Sequence, residues 1–328
     1  MKVLWIIPGK NEGSSFIFSR RQVSRLKEMG VEGATYFLSS RTNPMSLIRS
    51  AREAKQILIN LKPDLVHAHY GSVNGFFALR LGHPKTIITY HGSDLNDTSS
   101  VGFLRKFLSN KASKYCVKNS ACNIVVNEDL KNNVPEKYRD KTVVIPMGVD
   151  ENVFKPMPRD EARALLGWNK EEKVILFNAN DPVVKRLDIA LASIEKVKNK
   201  LPHARLEVLK GSVDPEKIPL LLNASDVLLL CSDHEGSPMM IKEAMACNLP
   251  IVSTVVGDTQ QRLEHVHGAL LTKQHADDIA KSLIKILEEN NRESYNLRES
   301  FISQNLSESA ICSEIKSLYE KIVSNTPL

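Results

Sequence analysis

Cysteine is scarce in this chain and follows no pattern. The five cysteines (Cys116, Cys122, Cys231, Cys247 and Cys312) are odd in number, and none stands in a C-x-x-C pair. Neither a disulfide framework nor a zinc knuckle can be built from them, and they read as buried thiols of a reducing compartment. Long apolar runs are missing too. No stretch approaches the roughly 18 consecutive apolar residues of a membrane span. The opening KVLWIIPGKNEGS breaks at Pro8 and Gly9, too early for a signal-peptide core. A cytoplasmic location is the resulting expectation. Low-complexity sequence is absent, and so is a G-x-G-x-x-G fingerprint after the first strand, where the loop reads PGKNEGSS. That omission argues against a nicotinamide-dependent dehydrogenase, which needs those glycines around the pyrophosphate.

What is present suits a soluble globular protein. The chain has 328 residues, 42% of them hydrophobic and 25% charged, enough for two cores of ordinary size without metals or disulfides. A net charge of +6 is compatible with nucleic acid, anionic lipid or phosphate-bearing small molecules and does not choose among them. Short apolar runs alternate with amphipathic stretches. Strands are expected at Lys2 to Ile7, Ala34 to Leu38, Asp64 to His67 and Thr86 to Tyr90, with helices at Phe16 to Met29, Leu47 to Leu61, Val73 to Leu81 and Phe103 to Lys118. The segment IPMGVDENVFKP (Ile145 to Pro156) breaks the rhythm with Pro and Gly and reads as an interdomain connection. Beyond it the alternation restarts, with strands at Val174 to Phe177, Leu206 to Leu209, Asp226 to Leu230 and Ile251 to Val255, and a last helix from about Ser307 to Val323. The fold class is therefore α/β, with two doubly wound, Rossmann-like domains facing across a cleft. Ligands in such sheets sit at the carboxyl ends of the strands.

The run Asp226 to Leu230 ends in the polar CSDHEGSP. Ser237 followed by Pro238 predicts a helix start, with a side-chain cap and then proline at the first helical position. Asn248 and Pro250 would end that helix. Its unpaired amides would attract a phosphate. Glu235 precedes the helix and Glu243 lies on it, eight positions later. A helical carboxylate can accept from the two hydroxyls of a ribose, and a loop carboxylate can do the same for a hexose. The pair suits a sugar, a diphosphate and a ribose in sequence. Two glutamates alone would more often be solvated charges.

EGSPMMIKEAMACNLPIVSTVVG closely resembles the signature of the large retaining glycosyltransferase group often called family four, E-x7-E followed by A-M-A-x-x-x-P-V-V. DLVHAHY, TYHGSDL, VVIPMGVDENVFKP and ASDVLLLCSDHEG agree with it in the right order, so the resemblance spans most of the chain. It implies a GT-B fold, an acceptor-side domain over 1–148, a nucleotide-sugar-binding domain over 149–306, and a helix over 307–328 packing back toward the first. It also implies a nucleotide-sugar co-substrate (a UDP- or GDP-sugar), no obligatory metal and no other cofactor. Glu243 would hold the ribose and Glu235 would contact the transferred sugar. Gly236, Ser237, Met239 and Met240 would belong to the donor site, the last three through backbone amides.

Lys185 and Arg186 stand at a strand-to-helix junction, placed to neutralise a diphosphate leaving group. The resembling family has a pattern close to G-R-L-x-x-E-K-G there. In NANDPVVKRLD, Lys185 falls on the family lysine, Asn180 takes the arginine's place, and Arg186 would supply the missing charge. His91, in TYHGSDL, follows a strand at its carboxyl end, and the family match places it beside the donor sugar. His67 and His69 read as structural. Gly13 and Ser14, in the first loop, could offer amides to the diphosphate or acceptor. Val101 to Cys122 carries Arg105, Lys106, Lys111, Lys114 and Lys118 with no acidic residue. It reads either as a solvated helix face or as an interfacial surface on anionic lipid. Nucleic acid is not expected, because no recognition motif accompanies the charge. Together these features point to transfer of a hexosyl unit to a hydroxyl of a glycan or lipid-linked acceptor, by analogy in lipopolysaccharide or capsule assembly, at or near the inner face of a membrane. The alternative is a non-catalytic glycosyltransferase-like partner subunit, for which Asn180 leaves an opening.

Overall fold

The computed structural model describes residues 1–12, 15–40, 42–92, 94–95, 103–211, 213–289 and 291–327, without the side chains of 103–107. Gly13, Ser14, the start of the Val101 to Cys122 stretch, and the side chains of Arg105 and Lys106 therefore lie outside the described residues. The chain forms two compact units, Met1–Gly148 with Glu308–Leu328, and Val149–Ser307.

In the first unit the elements run β1 (Lys2–Pro8), α1 (Ile17–Glu28), β2 (Glu32–Leu38), α2 (Pro44–Leu61), β3 (Leu65–His69), α3 (Val73–Arg80), β4 (Thr86–Tyr90), α4 (Phe103–Asn119), β5 (Cys122–Val125), α5 (Glu128–Asn132) and β6 (Thr142–Val144). The second contains α6 (Arg159–Leu166), β7 (Lys173–Asn178), α7 (Leu187–Lys198), β8 (Ala204–Leu209), α8 (Ile218–Ala224), β9 (Val227–Leu230), α9 (Met239–Ala246), β10 (Ile251–Thr254), α10 (Thr259–Leu263), β11 (Ala269–Thr272), α11 (Ala276–Glu289) and α12 (Leu297–Ser303). The last helix, α13 (Glu308–Ser324), returns to the first unit.

Both sheets are parallel, with strand orders β2-β1-β3-β4-β5-β6 and β11-β10-β9-β7-β8. Central strands such as β3, β4, β5 and β9 are buried at every position, as a parallel sheet covered on both faces requires. In the second unit the two-residue period sorts the core. Leu176 and Leu228 face a layer with Ile241, Met245 and Phe301, while Ile175, Phe177 and Leu229 face Ile194, Leu283 and Ile286.

In the first unit α13 brings Ile311, Ile315 and Tyr319 onto Trp5, Ile7 and Val23. The Tyr319 hydroxyl accepts from Trp5 Nε1 (3.3 Å) and lies 2.5 Å from His67 Nδ1, whose Nε2 is 2.7 Å from Thr89 Oγ1. The Tyr319 and Thr89 hydroxyls engage both ring nitrogens of His67. Burial holds the Tyr319 phenol protonated and lowers His67 well below its ordinary value. His67 is thus a satisfied core histidine.

Candidate functional site

Three loops of the second unit leave neighbouring strands at their carboxyl ends. The loop after β7 carries Lys185 and Arg186. It is a tight turn in which the Lys185 amide donates to Asp181 O (2.8 Å) and the Val184 amide to Asp181 Oδ1 (3.2 Å). The loop after β9 carries Ser232 to Ser237. The two are tied together: the Asp233 amide donates to Val184 O (2.8 Å), and Gln274 Nε2 donates to both Cys231 O (2.8 Å) and Asp233 Oδ1 (2.9 Å).

On this frame Lys185 Nζ makes a short ion pair with Glu235 Oε1, which also accepts from Ser232 Oγ (2.7 Å). Both charged side chains are mostly buried, 20% and 13% exposed, so each is the other's main neutralising partner. Arg186, at a left-handed φ of 58° before α7, is committed differently. Its guanidinium spans Asp188 (3.0 and 2.9 Å) and Asp233 (3.2 Å), which raise its pKa further. Asn180 is exposed.

The third loop, after β10, presses on the second. Gly257 has φ 55°, and a Cβ there would come within 2.3 Å of Gly236 O, so any other residue would push the Glu235–Gly236 backbone away. Ser237 corrects the expected helix cap. The N-cap of α9 is Pro238, without a side-chain cap bond. The Ser237 hydroxyl instead donates to Asp258 Oδ2 (2.7 Å) and accepts from Lys242 Nζ (3.1 Å). Charged partners outcompete a neutral amide for a hydroxyl. No described residue accepts from the Met239 or Met240 amide, so the first turn of α9 keeps open donors.

On α9 the positions from Met240 to Ala246 are buried except Glu243. Met239 and Glu243, four apart, form its half-exposed stripe. Side chains lean toward the N-terminus of a helix, so Glu243 stands over the open first turn. Asn248 ends α9 at φ 54°, with Leu249 N bonded to Ala244 O (2.9 Å), a left-handed stop.

In the first unit His91 follows β4. Its amide and those of Gly92 and Gly71 donate to the buried Asp94 carboxylate (3.0, 3.0 and 2.8 Å). Burial raises the Asp94 pKa against the pull of those amides. The His91 ring lies 4.4 Å from the Tyr70 ring and 5.2 Å from Phe18, and its Nε2 is 3.2 Å from His69 Nδ1. Full burial pulls His69 down to about 3, so it stays neutral beside His91.

Sequence reasoning missed Ser232, Asp233, Gly257, Asp258 and Lys242. The signals were a charged residue inside the apolar MMIKEAMAC and the Gly-Asp pair after β10. A cavity of about 540 Å³ in this unit, lined by Pro156, Met157, Arg159, Asn248, Arg292 and Glu293, contains none of the expected site residues.

Two doubly wound parallel units, one with a lysine–glutamate pair at its strand ends beside an open helix N-terminus, define a protein of the GT-B class. Residues 14–153 match the Glycosyltransferase Family 4 model and residues 208–306 the Glycosyl transferases group 1 model. The chain belongs to the group 1 glycosyltransferases of GT-B fold. It is 28% identical to the UDP-Gal:alpha-D-GlcNAc-diphosphoundecaprenol alpha-1,3-galactosyltransferase of Escherichia coli, over 77% of this chain and 75% of that one. Its fold is similar to that of sucrose-phosphate synthase from Thermosynechococcus elongatus (TM-score 0.82, 18% identity, 99% of this chain and 100% of the other). It is also similar to Anabaena HepE in complex with UDP-glucose (TM-score 0.70, 17% identity, 98% and 100%). Among the described residues no helix is long and apolar enough to cross a membrane.

Proposed function

We propose that this glycosyltransferase moves a hexosyl unit from a nucleoside diphosphate sugar to a hydroxyl of a glycan or lipid-linked acceptor, with retention of anomeric configuration and without a metal ion. The observation that carries it is the Lys185–Glu235 pair beside the open first turn of α9, with Glu243 over that turn. The E. coli relative, which acts on a diphosphoundecaprenol-linked sugar, and the Anabaena neighbour holding UDP-glucose support a UDP-sugar donor and a lipid-linked acceptor.

Glu243 accepts from the ribose hydroxyls, and the amides of Met239 and Met240 receive the diphosphate. Glu235 hydrogen-bonds hydroxyls of the transferred sugar. As the bond from the anomeric carbon to the diphosphate oxygen breaks, the leaving oxygen keeps the electron pair, and Lys185 takes up its charge, with Arg186 nearby. The acceptor hydroxyl oxygen bonds to the anomeric carbon from the same face, and its proton passes to the departing phosphate oxygen. No side chain acts as nucleophile. Thermal-shift screening against UDP-, GDP- and ADP-sugars is the test. A matching donor at about 100 times its Kd adds about 2.7 kcal/mol of stability. A flat response to every donor would refute the proposal.

We also assign the enzyme to the inner face of a membrane. Leu108 and Tyr115 of α4 and Phe76 of α3 are exposed beside Lys111, Lys114 and Lys118, and the Phe76 and Tyr115 rings lie 5.3 Å apart. Apolar and cationic side chains on one surface suit anionic lipid. The chain is expected to float with vesicles containing anionic lipid and to stay behind with neutral ones; equal recovery from both would remove this part.

A further inference from the structure

Behind the site, α9 and the loop after β10 share a buried polar chain. Lys242 is 1% exposed, Asp258 5% and Arg262 8%. Lys242 Nζ donates to Ser237 Oγ (3.1 Å), Ser237 donates to Asp258 Oδ2 (2.7 Å), and Arg262 Nε donates to that same oxygen (3.0 Å). Arg262 is held in turn by Gln304 Oε1 (3.3 Å), and Gln304 Nε2 donates to Arg262 O (3.0 Å). Burying an ammonium here is unfavourable: burial pulls Lys242 down to about 8, and the Asp258 charge only partly offsets this. An apolar residue on this face of α9 would avoid that cost. The chain does, however, fix Ser237, the last residue of the Glu235 loop before the Pro238 cap of α9. Gly257 closes on Gly236 O from the other side.

We propose that Lys242 is a positioning residue acting through Ser237 and Asp258. The relay clamps the Gly236–Ser237 turn so that the Met239 and Met240 amides stay aimed at the donor diphosphate. This rests on the donor reading given above. In the absence of the relay, Ser237 is free to swing back to an ordinary cap and occupy an α9 amide that the phosphate needs.

The test is calorimetric titration of UDP, GDP and ADP into the wild type, Ser237→Ala, Ser237→Thr, Asp258→Asn, Lys242→Met and the Ser237→Ala/Asp258→Asn double variant. For the nucleotide that binds the wild type, each relay-breaking single variant is expected to weaken binding about tenfold, the size of one lost charge-assisted hydrogen bond. The double variant should be no weaker than the worse single one, and Ser237→Thr, which keeps the hydroxyl, should stay within about threefold of wild type. Single variants within about twofold of wild type, or a double variant equal to the product of the singles, would overturn the relay while leaving the donor reading in place. A wild type that binds none of the three nucleotides would overturn both. Should the buried variants fail to fold, the comparison of Ser237→Ala with Ser237→Thr decides alone.

Discussion

Glu243→Ala is expected to raise the dissociation constant of the nucleoside diphosphate by about 10²- to 10⁴-fold, while the melting temperature stays close to that of the wild type. The size follows from two hydroxyl-to-carboxylate hydrogen bonds lost together, each contributing about 1.5–3 kcal/mol. The position explains why stability is spared. Glu243 is half-exposed on α9, whereas the neighbouring Lys242 and Ala244 are buried, so the substitution opens no cavity. Calorimetry with UDP and GDP reads the effect directly, because the ribose belongs to the nucleotide and no transferred sugar is needed. Glu243→Gln keeps the shape but weakens the acceptor and should fall between. Unchanged affinity in the alanine variant would refute the ribose role.

The second large effect falls on rate. Lys185→Met is expected to lower kcat by about 10²- to 10³-fold at saturating donor, in line with the loss of one preorganised charge facing a developing anion. Initial-rate kinetics on the purified enzyme measure it. The ion pair with Glu235 sharpens the expectation. Removing the ammonium leaves a mostly buried carboxylate held by the Ser232 hydroxyl, so Glu235 is disturbed as well, and Lys185→Arg should recover part of the loss. Arg186→Ala should cost less, because its guanidinium already spans Asp188 and Asp233. A kcat within tenfold of wild type for Lys185→Met would place the leaving-group charge elsewhere.

Much of this fold was legible in the sequence. Continuous apolar strands such as those at Thr86 to Tyr90 and Val227 to Leu230, spaced by amphipathic helices, leave little alternative to parallel sheets covered on both faces. Short elements were only partly legible. The four-residue β9 and β10 are wholly buried and declare themselves as apolar runs, but β11, equally short, is only half-buried, and α10, α5, α6 and α12, of five to eight residues, are too brief for a helical period to show. For the candidate site, residue types were readable and partners were not. Lys185 and Glu235 lie 50 positions apart, and only the adjacency of β7 and β9 in the sheet brings them into contact. Ser237 misled for a similar reason. Its local sequence favours a cap, but the carboxylate that claims its hydroxyl comes from another loop, 21 positions on.

The most direct measurement is release of nucleoside diphosphate from UDP- and GDP-hexoses incubated with the purified chain, with no acceptor present. The wild type is expected to release it slowly from one donor class, and Glu243→Ala and Lys185→Met to release none above background. Release that persists undiminished in both variants, or a folded wild type that neither binds nor cleaves any of these donors, would contradict a nucleotide-sugar site between Lys185 and Glu243.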